Sequence, residues 1–130
     1  SEKFLVERIL GKFPDHMIVA EEGGLTDGQK DNLWYIDPVD GTANYAKGLP
    51  MFCVSIAYAA EGKMKLAAAY DPLRDEMFTA EKGMGAWMNG RPIHVSDVDD
   101  LTTSMLVTGF PYDMDQKENN IEYFIHFVRL

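Results

Sequence analysis

The sequence predicts an α+β fold, with a mainly antiparallel sheet of about six strands flanked by helices. Three observations carry that expectation. Apolar residues recur at helical spacing near both ends of the chain. Short apolar runs fill the middle. Turn chemistry divides those runs, at Pro14-Asp15, Asp37-Pro38, Glu61-Gly62-Lys63 and Asn89-Gly90.

Residues 1–13 read as an amphipathic helix. Ser1 can cap it, and Phe4, Leu5, Ile9 and Phe13 fall near one face. Pro14-Asp15 ends it. Met17-Ile18-Val19-Ala20 is a short strand running into Glu21-Glu22. Residues 23–32 are polar and contain glycine, so they read as a surface loop. Leu33-Trp34-Tyr35-Ile36 is a second strand, stopped where Pro38 removes a donor and holds Asp37 extended. Residues 42–46 form a short helix after the turn Asp40-Gly41-Thr42. A meander follows, with strands over residues 52–60, 64–70, 76–80 and 86–88. Asn89-Gly90 is a two-residue hairpin signal. Residues 104–108 are expected to form a last strand. Residues 121–130 return to helical spacing, with Ile121, Phe124, Ile125 and Val128 on one side. No repeat, low-complexity tract or linker interrupts the chain, so residues 1–130 read as a single domain.

A chain of 130 residues can bury a core. Its apolar share, 46%, and charged share, 25%, are those of an ordinary soluble domain. The net charge of −9 argues against a broad nucleic-acid or anionic-membrane footprint, which needs basic surface. The expectation is therefore no nucleic acid polymer and no membrane as partner. No apolar run reaches the roughly 18–20 residues of a membrane span. Ser1-Glu2-Lys3 does not open a basic-then-apolar leader. Cys53 is the only cysteine, which excludes an internal disulfide and a thiolate zinc site. It reads as a small buried hydrophobe in a reducing, cytoplasmic setting.

The chemically informative segment runs from Trp34 to Thr42. Asp37 and Asp40 flank Pro38-Val39 at the end of an apolar strand. Unpaired acids are expensive to bury there, and a metal ion is the economical positive partner. Magnesium takes hard oxygen ligands, which Asp37, Asp40 and the Val39 carbonyl can supply. Gly41 allows close approach of an anion, and Thr42 offers a hydroxyl and N–H donors at a helix start. An Asp-Pro-x-Asp-Gly stretch also fits a plain surface turn. The apolar strand before it favours the cation reading, as does a second acidic pair, Glu21-Glu22, at another strand end. Alone, Glu21-Glu22 reads as a solvated pair.

Residues 34–42 resemble the signature W-x-I-D-P-[IV]-D-G-T of the inositol monophosphatase family. Ala20-Glu21-Glu22 resembles that family's Gly-Glu-Glu. The likeness continues through Phe52-Cys53-Val54-Ser55-Ile56, through residues 83–90 and through residues 106–112. The resemblance implies a magnesium-dependent, lithium-sensitive phosphomonoesterase. Its substrate would be inositol monophosphate or a related small sugar or polyol phosphate. Fructose bisphosphate and adenosine bisphosphate phosphatases share the signature. Glu21, Asp37, the Val39 carbonyl and Asp40 match metal ligands. Asp40, Gly41 and Thr42 match the phosphate-facing side, and Thr42 matches the group that orients the attacking water. A homodimer is implied too. The fold implied is a layered α/β/α/β/α sandwich, of which this chain resembles the first half.

Two expected acids are absent. The family's water-activating Asp lies upstream of Ser1, and its last ligand Asp follows a tryptophan in the second half. Trp34 and Trp87 are not followed by Asp. The expectation is that the natural chain extends beyond residues 1 and 130. The alternative is an incomplete domain that binds magnesium and is inactive alone.

Other residues read as structural. His16, His94 and His126 are surface or packing side chains, and Asp97, Asp99 and Asp100 form a solvated loop. Asp113 and Asp115 can cap the last helix.

Overall fold

The computed structural model describes residues 1–110 and 120–129. Its centre is one sheet, and the α+β expectation holds. The elements in chain order are α1 (Glu2–Lys12), β1 (His16–Ala20), β2 (Gly24–Leu25), β3 (Gln29–Asp40) and α2 (Thr42–Ala46). Then come β4 (Cys53–Ala60), β5 (Lys63–Asp71), β6 (Glu76–Glu81), β7 (Gly85–Met88) and β8 (Arg91–Ile93). A 3₁₀ turn (Leu101–Thr103) and α3 (Ile121–Val128) follow. The chain divides into two compact units, Ser1–His94 and Val95–Leu130. Their junction, Ile93-His94-Val95-Ser96, holds no glycine or proline, so nothing in its composition marks it.

The sheet has eight strands in the order β2-β1-β3-β4-β5-β6-β7-β8. Neighbours are antiparallel except β1 and β3, which run parallel. The expected count of about six omitted the two short edge strands, β2 and β8. At the turn between β7 and β8, Asn89 and Gly90 both have positive φ, 48° and 76°, as a two-residue hairpin requires. The Asn89 side chain accepts from the Met77 N–H at 2.8 Å and donates to the Asp75 carbonyl at 2.9 Å. The hairpin is thereby tied to β6.

Several expectations need correction. Residues 29–32 belong to β3 rather than a loop. Their polarity reflects an exposed strand end, but Asn32 still pairs with Ala60, and its side-chain oxygen accepts from the Tyr58 hydroxyl at 2.6 Å. Pro38 does not stop β3. The ladder shifts register between Asp37 and Asp40, and this bulge accommodates the missing donor. Residues 104–108 form no strand, because they pair with none among the described residues. Met105 and Val107 stand 91% and 88% exposed.

α1 packs on β1 and β3 through Leu5, Val6, Ile9 and Leu10. Those positions share one face at i, i+4 spacing. Phe4 falls on the opposite side, 59% exposed, with the Arg8 guanidinium 5.2 Å from its ring centre. Ser1 makes no side-chain cap; its carbonyl accepts from the Leu5 N–H at 3.2 Å. Phe13, just past the helix, stacks on His16 at 4.8 Å. The His16 Nδ1 accepts from the Trp34 indole at 3.0 Å, so His16 is a packing residue as expected. Beneath α1 lie Ile18, Ala20 and Ile36, which are buried.

In the second unit, Asp100 is not simply solvated. Its carboxylate accepts from the Thr102 N–H and hydroxyl, both at 2.8 Å, which hold it below the usual carboxylate range. Phe110 meets Phe124 edge-on at 5.8 Å, and Asn120 donates to the Gly109 carbonyl at 2.8 Å. Asp113, Asp115 and Leu130 lie outside the described residues.

Ile18 is fully buried and Phe4 is not. Ile18→Ala is expected to cost about 2–5 kcal/mol, whereas Phe4→Ala costs within about 0.5 kcal/mol. Urea unfolding of the two variants checks this.

Candidate active site

Parallel strands end at the same edge, so residues that follow their last paired positions become neighbours. Ala20 of β1 pairs with Ile36 of β3. The next residues are Glu21 and Asp37. The Glu21 N–H donates to the Ile36 carbonyl at 3.2 Å, which carries the ladder one step further. Asp37, by hydrogen bonding and by its charge, pushes the neighbouring Glu21 carboxyl above the usual carboxylate range; desolvation, Glu22 and Asp40 add to the push.

Asp37 also folds the next turn. Its Oδ1 accepts from the Val39 N–H at 3.0 Å, closing a side-chain turn over Pro38. On β4, Ser55 pairs with Asp37 and Cys53 with Asp40. Three steps on β3 thus span two on β4, and the extra residue swings Asp40 to the sheet edge. The Asp40 Oδ2 lies 3.8 Å from the Cys53 sulfur. Cys53 is half-buried rather than buried. Burial, then the Asp40 and Asp37 charges, push its thiol up, which keeps it protonated and unreactive.

Gly41 has φ 92°, and a Cβ there would stand 2.8 Å from the Met51 carbonyl oxygen. Both facts require glycine. α2 starts directly after it, so its first N–H groups have no helical partner. The Thr42 hydroxyl donates to the Val39 carbonyl at 3.0 Å, which leaves its lone pairs free to accept. Asn44 donates to the Met51 carbonyl at 2.9 Å and ties the following loop to the turn.

Asp40, Gly41, Asn44 and Cys53 form part of the wall of an open cleft of about 380 Å³, which also reaches Asp71 and Arg74. Sequence reasoning missed this last pair. Arg74 forms an ion pair with Asp71 and holds its carboxyl below the usual range. It also reaches the Pro50 carbonyl at 3.5 Å. The only signal was a second Asp-Pro turn, Asp71-Pro72, between two strands.

The structure thus brings Glu21 and Asp37 into contact, with Asp40 within their electrostatic reach. Val39, Gly41 and Thr42 form the adjoining turn. Among the described residues, no three carboxylate, imidazole or thiol side chains close into a cation cage. The donors are nonetheless hard oxygens, and two like-charged carboxyls in contact are relieved by a cation. Magnesium keeps several waters and needs only one or two carboxylates plus phosphate oxygens, so the residues fit it. Glu21, Asp37 and Asp40 would hold it.

Eight strands, mostly antiparallel, with one parallel pair that ends in acids, frame the site. The profile of the Inositol monophosphatase family matches residues 1–129, and the chain belongs to that family. The chain is 45% identical to "Nus factor SuhB" of Vibrio cholerae over 89% of its own length and 44% of that protein. It superposes on an inositol monophosphatase from Anabaena with TM-score 0.93 and 46% identity, over 99% of this chain and 52% of the other. It also matches an inositol-monophosphate-bound SaIMPase-II from Staphylococcus aureus, with TM-score 0.69 and 32% identity, over 77% of this chain and 39% of that one. The chain spans about half the length of the relatives it matches.

One expectation is overturned here. Nucleic acid polymers were excluded as partners, yet relatives at this identity are named Nus factors, a name tied to transcription. The net charge of −9 disfavours a broad basic surface, but it does not bear on a local or protein-mediated contact. No helix among the described residues is long and apolar enough to cross a membrane.

A carboxyl raised by its neighbour stabilises the fold below its unfolded value, and that stability is lost as pH rises through its folded value. Without metal, Glu21→Gln is expected to raise the urea midpoint at pH 7, with the gain vanishing below about pH 4. A series of unfolding curves across pH measures it; an unchanged difference between the variants at both extremes would refute the contact.

Proposed function

We propose that this chain supplies the first half-site of a magnesium-dependent phosphomonoesterase acting on inositol monophosphate or a related small polyol or sugar phosphate. One observation carries the reading: the parallel register sets Glu21 against Asp37, beside a bulged turn that offers Asp40, Gly41 and Thr42. The S. aureus relative that holds inositol monophosphate supports the substrate class.

When bound, magnesium supplies positive charge that polarises the phosphate ester and acidifies a water. The protein groups have separate tasks. Glu21, Asp37 and Asp40 hold the cation. The Val39 carbonyl already accepts from Thr42, and its second lone pair faces the same task. Gly41 lets the turn close against the Met51 carbonyl, and the first N–H groups of α2 that follow it donate to a phosphate oxygen. The Thr42 hydroxyl, its proton committed to Val39, accepts a hydrogen from the attacking water and so orients it. Cys53, protonated, takes no covalent part, so direct displacement by water fits best.

A second reading rests on the Nus-factor relatives: a role in transcription that does not depend on hydrolysis.

Magnesium titration by calorimetry is expected to give millimolar binding to the chain, weakened by Asp40→Asn. In a longer protein carrying these residues as its first half, Asp40→Asn is expected to cut phosphate release from inositol monophosphate about a hundredfold or more. No binding at millimolar magnesium, or release untouched by the substitution, would defeat the phosphatase reading. If Asp40→Asn abolishes hydrolysis while an effect on transcript elongation by purified polymerase persists, the second reading stands apart from the first.

A further inference from the structure

Glu21 follows Ala20, the last residue of β1, and begins the turn that leads through Glu22 and Gly23 to β2. Its N–H is held by the Ile36 carbonyl, and the β1–β3 ladder goes no further. The pairing of Ala20 with Gly24 closes the turn at its base, and the side chains at its tip depend on contacts from outside the hairpin. The structure supplies one such contact. Glu2, the first residue of α1, extends its carboxylate across to the turn, and its Oε2 accepts from the Glu22 N–H at 2.9 Å. Its other oxygen, Oε1, lies 2.6 Å from where a Cβ on Gly23 would stand. Both carboxylate oxygens therefore rest on the turn, one by hydrogen bond and one where a Cβ on Gly23 would displace it.

Glu2 is half-buried, while Lys3 and Phe4 beside it are exposed. An acid in the first turn of a helix also favours the helix dipole, which any carboxylate there would do. The dipole explains neither the bond to a residue twenty positions away nor the fit over Gly23.

We propose that Glu2 is a positioning residue for the cation site: it grips the Glu22 amide and so fixes Glu21 beside Asp37. The proposal rests on the reading of Glu21 as a magnesium ligand. α1 then has two tasks, covering the core with Leu5, Val6, Ile9 and Leu10 and pinning the acidic turn with its first residue. Contacts of this kind to a ligand-bearing segment act on metal affinity because they hold the ligand where the ion needs it.

The test uses three variants of the chain, magnesium alone as the probe, and amide-resolved NMR. Glu2→Ala removes the acceptor. Glu2→Gln keeps an acceptor oxygen and loses the charge. Gly23→Ala leaves Glu2 in place but crowds its carboxylate off the turn. Glu2→Ala and Gly23→Ala are expected to speed hydrogen exchange at the Glu22 amide about tenfold, as loss of one hydrogen bond implies. They are also expected to raise the magnesium midpoint about tenfold. Glu2→Gln should restore both readouts, which a helix-dipole role would not allow. Unchanged exchange in Glu2→Ala overturns the grip. Faster exchange with an unchanged magnesium midpoint overturns the positioning role and leaves a structural latch. A parent chain silent to magnesium sinks the metal reading, and the positioning role with it. The Glu22 exchange rates then still report whether Glu2 holds the turn, so the two failures are told apart.

Discussion

Two strands that run the same way must end side by side, and whatever follows them shares one edge. That constraint organises the molecule. β1 and β3 are the only parallel neighbours in the sheet, and their register places Ala20 opposite Ile36. The apolar residues before that point, Ile18 and Ile36, are buried under α1. The polar residues after it, Glu21 and Asp37, meet in the open. A slip of one position would turn Ile18 to the wrong face and separate the acids at the same stroke. Core packing therefore enforces the geometry of the site.

The edge that results carries unfavourable charge. Glu21 is held above its ordinary range by Asp37, and Glu22 and Asp40 add to it. Backbone conformation is constrained there too, with Gly41 at φ 92° against the Met51 carbonyl. Such features persist where the surrounding structure over-determines them, and they concentrate at functional sites. Here the surroundings are the β3 bulge, the Asn44 bond to Met51 and the Glu2 bond to Glu22.

Much of this was legible in the sequence. The apolar runs gave the strands because short apolar stretches between turn residues are a local pattern, and Asn89-Gly90 gave its hairpin because few residues tolerate positive φ. Trp34 to Thr42 pointed to the family because the run resembles its signature, whereas its two acids alone also fit a surface turn. What was hidden depended on partners distant in sequence. Residues 29–32 looked like a loop, since polarity does not report pairing with Ala60. Residues 104–108 looked like a strand, since an apolar run cannot reveal that no edge will receive it. Phe4 was assigned to the wrong face, because the stripe that counts is set by Ile18 and Ile36 beneath it. The direction of β1 against β3 was also unreadable, and the meeting of Glu21 with Asp37 depends on it. The acidity of the chain was over-read, because total charge says nothing about a local partner surface.

The stretch from β1 to α2 has a further consequence for how the molecule is made. Glu21, Asp37 and Asp40 all lie within one short span of chain, and the strands bearing them are joined by a compact hairpin-like excursion through β2. Closing so small a loop costs little entropy. During synthesis this corner can assemble once β4 has left the ribosome, before the second unit exists. The nascent chain would then carry a concentrated negative corner before the residues of the second unit follow.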